Sequence, residues 1–175
     1  MSRGLLLAMK ESKRTVSSLR DLQRHGRPVS TSVHEAAHAY AAHLLGFLPV
    51  RVTVRRDDGA GYLGRLWYTP RPADWRGLAL VALAGPIAES LLELGRVHEL
   101  YGDEDDYKLV RSLVATHAAG SERELERLQD EAIAFVTANR RPIRHLAIVL
   151  AEQGELEHEQ LTAALAAAQK ENECL

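Results

Sequence analysis

The amino-acid sequence predicts a mainly α-helical domain that carries one small β-hairpin. Most of the chain has apolar residues at helical spacing. Two short runs rich in β-branched and aromatic residues are the exception, and the turn-forming "DDGA" between them predicts a hairpin. At 175 residues, 46% of them hydrophobic, the chain is long enough to bury one core. We expect an N-terminal amphipathic arm at residues 1–27 and one domain at 28–175.

The predicted elements can be placed in order along the chain. The first helix is expected at 32–45, capped by Thr31 or Ser32 and ended by Gly46. The hairpin strands follow in "VRVTVRR" (50–56) and "GYLGRLWYT" (61–69), and they are the only strands that the sequence indicates.

The second half of the chain is predicted to be helical. Residues 74–94 are apolar on most faces, which indicates a buried central helix that Pro86 should kink or restart and that Gly95 ends. One further helix opens at Asp103, and another opens at Ser121 with a capping box. Two shorter helices are expected at 143–153 and 157–170, on either side of a glycine.

Composition excludes several classes of protein. Twenty-two basic and 24 acidic residues give a formal charge of −2, and no basic run with interleaved aromatic residues occurs, so a nucleic-acid partner is not expected. The one cysteine, Cys174, has no partner for an internal disulfide and indicates a reducing compartment. Charged residues interrupt the apolar N-terminal patch, which argues against a signal peptide. The apolar run at 78–88 is shorter than the roughly 20 residues of a membrane span. We expect a cytoplasmic protein with no membrane span.

The motif "HEAAH" (34–38) carries the chemistry of the first helix. Residues four apart differ by about 40° in direction, so His34 and His38 present their imidazoles from one face. Glu35 lies about 100° away, where its carboxylate can reach a metal-bound water without binding the metal. HExxH on a helix is the zinc-protease signature, although two hydrogen-bonded core histidines are the plainer alternative. The motif predicts catalytic Zn²⁺ on condition that a third ligand comes from elsewhere.

The search for a third ligand favours Asp106. It lies on a stripe of the predicted helix that includes Val110, Leu113 and His117, whereas Asp105 points about 100° away. A carboxylate on an apolar stripe is costly unless it is paired or bound to a metal. The alternative is that Asp103 and Asp106 only stabilise the N-terminus of their helix.

Other acidic residues and histidines are alternative candidates for the third ligand. Glu89 and Glu93 are the rivals of Asp106, and Glu89 is expected to orient a ligand or to close the helix packing. His43 points to the opposite side of its helix and is excluded. Four further histidines have no ligand spacing; they are His98, His117, His145 and His158.

Several segments occur together in one known family. They are "HEAAHAYAAHLLG" (34–46), "GYLGRLWY" (61–68), "ALAGPIAESLLELG" (82–95), "GDEDDYKLVRSLV" (102–114) and "LAEQGELEHEQLTAAL" (150–165). In this order they resemble the peptidase domain of the FtsH AAA+ zinc metalloproteases, with its HEAGHAL, AGRxAEE and G-x-x-ND-x-x-x-A motifs. The resemblance covers about residue 30 to the C-terminus. It implies a zincin-like, FtsH-peptidase-like helical domain with His34, His38 and Asp106 as Zn²⁺ ligands and Glu35 as catalytic base.

The chain also departs from that family. Ala37 replaces a glycine, Pro86 an arginine and Asp105 an asparagine. Because the sequence has no GxxxxGK[ST] phosphate loop, we expect an ATP-independent zinc endopeptidase for unfolded or flexible polypeptides. A homo-oligomer and an AAA+ partner are both compatible with the resemblance. The alternatives are a protease with one regulatory substrate and a non-catalytic zinc-binding interaction module.

Substrate is expected to join the hairpin by strand addition at 50–54. The aromatic residues of the hairpin could face the substrate or belong to the core; they are Tyr62, Trp67 and Tyr68.

Overall fold

A computed structural model describes residues 18–24, 26–57, 61–69, 74–94 and 105–173. It is mainly helical, as predicted, and carries a three-stranded antiparallel sheet. The helices are α1 (Leu19–Arg24), α2 (Val29–Leu44), α3 (Trp75–Glu89), α4 (Asp105–His117), α5 (Glu122–Ala138), α6 (Arg140–Gln153) and α7 (His158–Glu173), and the strands are β1 (Leu48–Asp57), β2 (Gly61–Thr69) and β3 (Glu155–Glu157). The predictions made for Gly95, His98, Asp103 and Cys174 lie outside the described residues.

Helix α2 begins three residues earlier than predicted. Pro28 precedes it without a side-chain cap, and the Ser32 N–H already donates to the Pro28 carbonyl at 2.9 Å, so the predicted cap at Thr31 or Ser32 is wrong. Proline suits a helix start because its φ is close to helical, and Val29 is buried in the core, which favours the longer helix. Past the other end, Gly46 has a φ of +74°, a conformation that glycine adopts without strain.

The predicted hairpin is confirmed, and a third strand joins it. β1 pairs with β2 along its length and with β3 at Arg51, Val52 and Thr53. The expectation of only two strands is therefore wrong, and so is the free edge expected at 50–54, because β1 is the central strand. A three-residue strand between two helices is too short to show alternation. Among the described strands, β2 forms the edge on the other side of β1.

Helix α3 is the buried central helix that the sequence predicts. Asp74 caps it by accepting a hydrogen bond from the Gly77 N–H at 2.9 Å. The helix does not restart at Pro86; it continues to Glu89 and then widens into a π-helical turn, Ser90–Leu94. Within the described residues one segment, Trp75–Leu92, has the length and apolar composition of a membrane span, but 56% of it is buried, as in a core helix.

The core is built around α2 and α3, which pack against each other. α6 also packs on α2, α5 and α4 pack on α3, and the sheet covers a further side of α2. α1, at the end of the predicted N-terminal arm, packs on α6 through Leu19 and Leu22. This arrangement fixes α2 between a helix and the sheet, and the HEAAH motif with it.

The C-terminal helices follow the sequence signals closely. The Ser121 hydroxyl accepts from the Glu124 N–H at 3.3 Å, which confirms the predicted cap of α5. α6 begins at Arg140 rather than at 143, because Pro142 falls in its first turn, where no N–H donor is needed. Gly154 ends α6 with a φ of +76°.

Candidate metal centre

Two histidines of α2 and one aspartate of α4 come together beside the sheet. His34 Nε2 lies 3.0 Å from His38 Nε2 and 3.1 Å from Asp106 Oδ2, and His38 Nε2 lies 3.3 Å from the same carboxylate oxygen. The HEAAH spacing puts both rings on one face of α2, while Asp106 reaches them from the first turn of α4. These three residues form one group that could bind a metal ion.

The three ligand atoms have the separations that a small metal ion needs. Nitrogen and oxygen ligands about 2.0–2.1 Å from a tetrahedral ion lie about 3.3 Å from one another. The observed separations of 3.0–3.3 Å are close to that value without any movement of the helices. Two imidazoles and one carboxylate suit Zn²⁺ and other first-row ions rather than Ca²⁺ or Mg²⁺, which prefer oxygen.

The inner side of each imidazole is fixed by a second hydrogen bond. His38 Nδ1 lies 2.7 Å from the carbonyl oxygen of Val81 in α3. A carbonyl only accepts, so Nδ1 carries the proton and Nε2 is left free to bind a metal. His34 Nδ1 lies 3.1 Å from Glu89 Oε2, and the Ser30 hydroxyl donates to the other oxygen of that carboxylate. Glu89 therefore orients His34 and contacts none of the three ligand atoms.

Replacing Glu89 with Ala should weaken metal binding by the ligand group about 10–100-fold, with Zn²⁺ as the test ion, because His34 loses the partner that fixes its tautomer and ring orientation. Glu89→Gln should lie in between, since it keeps an acceptor and loses the charge. Zinc affinity measured by competition with a chromogenic chelator checks this. Glu126→Ala, at an exposed position on α5, is the matched control and should bind zinc as the wild type does. Equal affinity in Glu89→Ala and Glu126→Ala would contradict the orienting role.

Glu35 lies next to the ligand group and is almost completely buried, with 6% of its surface exposed. Burial raises the pKa of its carboxyl group, and the nearby His38 and His34 partly offset this increase. The side chain packs against Gly64 of β2, where an added Cβ would lie 2.6 Å from Glu35 Cδ. Only glycine at position 64 leaves room for the carboxylate between α2 and the strand.

Gly85 of α3 likewise leaves room for the rings of His34 and His38. A Cβ on this residue of α3 would overlap the His38 ring and lie 2.9 Å from His34 Cδ2. The backbone of α3 can approach the imidazoles only because the side chain is missing there. Sequence reasoning missed Gly64, Gly85 and Ser30. A glycine inside an apolar helical run, such as Gly85, is the one available signal of such a close approach.

In the metal-free protein, hydrogen bonds from a protonated His34 connect the residues of the ligand group. Burial opposes a charged imidazolium at His34, but hydrogen bonds to Asp106 and Glu89 outweigh it and raise the pKa of His34 to about 10. Burial likewise opposes the ionised form of Asp106, yet the hydrogen bond from His34 and the proximity of His38 keep its pKa well below the usual range. At neutral pH the metal-free site is therefore an imidazolium paired with carboxylates.

The affinity of the ligand group for a metal ion, tested with Zn²⁺, should rise by about tenfold per pH unit between pH 6.5 and 8.5, because the ion must displace the proton of His34 before it can bind. The sign follows from the raised pKa: below about 10 the metal-free His34 is protonated, so each increase in pH removes part of the competition. Calorimetric titration in two buffers of different ionisation enthalpy counts the protons released. An affinity that stays constant across this range would contradict the prediction.

A cleft of about 420 Å³ opens over the ligand group. Its walls come from α2, α3, the edge strand β2 and the first turns of α4. The residues that line it on the outer side are Gly64, Arg65, Leu66, Tyr68, Asp105 and Leu109. A metal ion bound by the three ligands would face this space and not the protein core.

The other candidates lie away from the ligand group. His43 faces α7, where its Nε2 lies 3.3 Å from Gln169 Oε1, and Asp105 is fully exposed beside Lys108. His117 stacks on Trp75 with 5.3 Å between ring centroids. His158 is exposed, and His145 is half-buried within α6. The side chains of Glu93 and Tyr62 lie outside the described residues.

No protein-family model and no curated protein matches this chain. The resemblance to the FtsH peptidase domain therefore stays a prediction, carried by sequence motifs alone. Independently of it, the fold presents two imidazoles and one carboxylate that could bind a metal ion.

Proposed function

We propose that this chain is a zinc endopeptidase that hydrolyses unfolded or flexible polypeptides without ATP. One observation carries the proposal: a buried carboxylate, Glu35, lies beside a group of three metal-ligand atoms without belonging to it. A structural zinc site is usually closed by four protein ligands and has no use for a neighbouring base. Three ligands, an adjacent carboxylate and an open cleft are the components of a hydrolytic zinc site.

In this proposal His34, His38 and Asp106 hold the ion, while Glu89 and the Val81 carbonyl keep the imidazoles in place. When bound, Zn²⁺ supplies a Lewis acid that acidifies water and polarises a carbonyl group. Glu35 accepts the proton of the attacking water and delivers it to the amine that leaves. Its burial raises the pKa of the carboxyl group, which makes it a better proton acceptor at neutral pH.

The edge strand β2 is the proposed substrate platform, in place of the 50–54 segment that β3 covers. Its residues Gly64–Tyr68 border the cleft beside the ligand group. An extended polypeptide can pair with such an edge through main-chain hydrogen bonds, which require no particular side chains. Unfolded or flexible chains offer extended main chain for such pairing more readily than folded proteins do, so we propose them as the substrate class.

Zinc analysis combined with a casein cleavage assay tests the proposed function. The purified chain should bind about one zinc ion and cleave casein without ATP, and a chelator should stop the cleavage until Zn²⁺ is restored. Bound zinc with no chelator-sensitive cleavage would favour a non-catalytic interaction module instead. A protease with one regulatory substrate, or one that needs a homo-oligomer or an AAA+ partner, would be distinguished by capturing its substrate on the Glu35→Gln variant.

A further inference from the structure

The side chain of Tyr68 lies in the cleft with no role in the mechanism described so far. In a strand, alternate residues share a face, so Tyr68 lies on the same face of β2 as Gly64, which contacts Glu35. Its ring packs edge-on against the buried Phe47, with 5.8 Å between centroids. This contact and the strand backbone hold the phenol in one position.

The hydroxyl of Tyr68 is a free donor at the edge of the ligand group. Within the described part of the chain it makes no hydrogen bond, although the residue is half-buried and lines the cleft. Burial, and then the negative charge of Asp106, raise the pKa of the phenol, so the group keeps its proton at neutral pH. A half-buried phenol that shares the cleft with a ligand carboxylate is available to donate to a bound molecule.

The other side chains that line the described cleft do not offer the same donor. His34 and His38 use their Nε2 atoms in the ligand group, and Glu35 is the proposed base. Arg65 also borders the cleft, but its residue lies on the exposed face of β2, where its charged guanidinium lies 5.4 Å above the ring of Trp67. Tyr68 is therefore the one neutral donor of a side chain that faces the ligand group from the described strand.

Glu35 and Tyr68 line the same cleft at different positions along β2. Glu35 packs against Gly64, whereas Tyr68 lies four residues further along the strand, where the charge of Asp106 acts on it. A peptide laid along β2 would pass between them. The base would then meet the attacking water on one side, and the phenol would meet the carbonyl oxygen on the other.

We propose that Tyr68 is a catalytic residue of this site: its hydroxyl donates a hydrogen bond to the carbonyl oxygen of the scissile peptide as that oxygen gains negative charge. The tyrosine keeps its proton throughout, so no bond to it is broken. This inference rests on the proposed function. A donor that is strongest when charge develops lowers the barrier of the chemical step and leaves substrate binding nearly unchanged.

The Tyr68→Phe variant tests the inference, because it keeps the ring contact with Phe47 and removes only the hydroxyl. We expect kcat for a casein-derived peptide to fall about a hundredfold, with KM and zinc content close to those of the wild type. The matched control is Tyr107→Phe, in α4, whose hydroxyl accepts a bond from Gln129 at 2.5 Å within the fold. This control should keep the wild-type kcat.

Binding gives a second readout that does not depend on turnover. A phosphinic peptide of the same sequence presents a charged tetrahedral oxygen where the carbonyl oxygen would become negative. Zinc-loaded Tyr68→Phe should bind it more weakly than the wild type by a factor close to the loss in kcat/KM, and should bind the uncleaved parent peptide equally well on a Glu35→Gln background.

The outcomes separate this inference from the proposed function. If the wild type cleaves the peptide and Tyr68→Phe has the same kcat, Tyr68 is not a catalytic residue. The same conclusion follows if Tyr68→Phe changes only KM, zinc content or affinity for the parent peptide. In both cases the proposed peptidase function is unaffected. A loss of kcat with unchanged phosphinic-peptide affinity also overturns it. If the zinc-loaded wild type neither cleaves casein nor binds the phosphinic peptide, the proposed function itself fails, and the inference with it.

Discussion

Replacing Glu35 with Gln should leave zinc bound and lower kcat/KM by about a hundred- to ten-thousandfold, the usual contribution of a general base. The two side chains have the same shape, so the packing against Gly64 is kept. Zinc is retained because Glu35 is not one of the three ligands. The amide cannot accept the proton of the attacking water, and therefore only the chemical step is lost.

Cleavage of a fluorogenic casein derivative, together with zinc content by atomic absorption, checks both halves of this prediction. Since burial raises the pKa of the Glu35 carboxyl group, the neutral amide should be tolerated and the melting temperature should not fall. Glu126→Gln, exposed on α5, controls for the loss of one negative charge and should keep full activity. Normal cleavage by Glu35→Gln would show that this residue is not the base. Loss of zinc would show that it is a ligand.

The residues of the site that could be predicted from the sequence are those whose positions follow from the repeat of a single helix. The spacing of His34 and His38 places both rings on one face of α2, whatever the rest of the fold does. The stripe of α4 likewise separates Asp106 from Asp105, and the structure has Asp106 beside the imidazoles and Asp105 in solvent. The 3.6-residue repeat carries this information locally, so one sequence was enough for it.

The rest of the site arises from contacts between distant segments, which no local repeat encodes. The absence of a side chain at Gly64 leaves room for Glu35 where β2 contacts α2. The absence of one at Gly85 leaves room for His38 where α3 contacts α2. The pairing of Ser30 with Glu89 joins residues 59 positions apart. β3 escaped prediction for the same reason, because a three-residue strand exists only through its partner, β1. Long-range packing of this kind is visible only once the fold is known.

Replacing Asp106 with Ala should weaken zinc binding by more than about a hundredfold, a larger loss than the 10–100-fold typical of residues that only orient a ligand. Within the described residues, Asp106 supplies the one carboxylate oxygen within 3.3 Å of both imidazole Nε2 atoms. Without it the metal keeps two ligands from neighbouring turns of one helix, fewer than the three of a catalytic zinc site. Cleavage should disappear together with the metal.

Asp105→Ala is the matched control, because it removes the same group one position away on the same helix. The Asp105 side chain is fully exposed and, among the described residues, pairs with Lys108, so zinc affinity should stay at the wild-type level. Comparing the two variants also tests the alternative that the acidic residues in the first turn of α4 only stabilise the N-terminus of that helix. In that case both variants would lose a similar amount of stability and neither would lose zinc. Zinc retained by Asp106→Ala would mean that the third ligand has been assigned to the wrong residue, and the peptidase assignment would lose its structural basis.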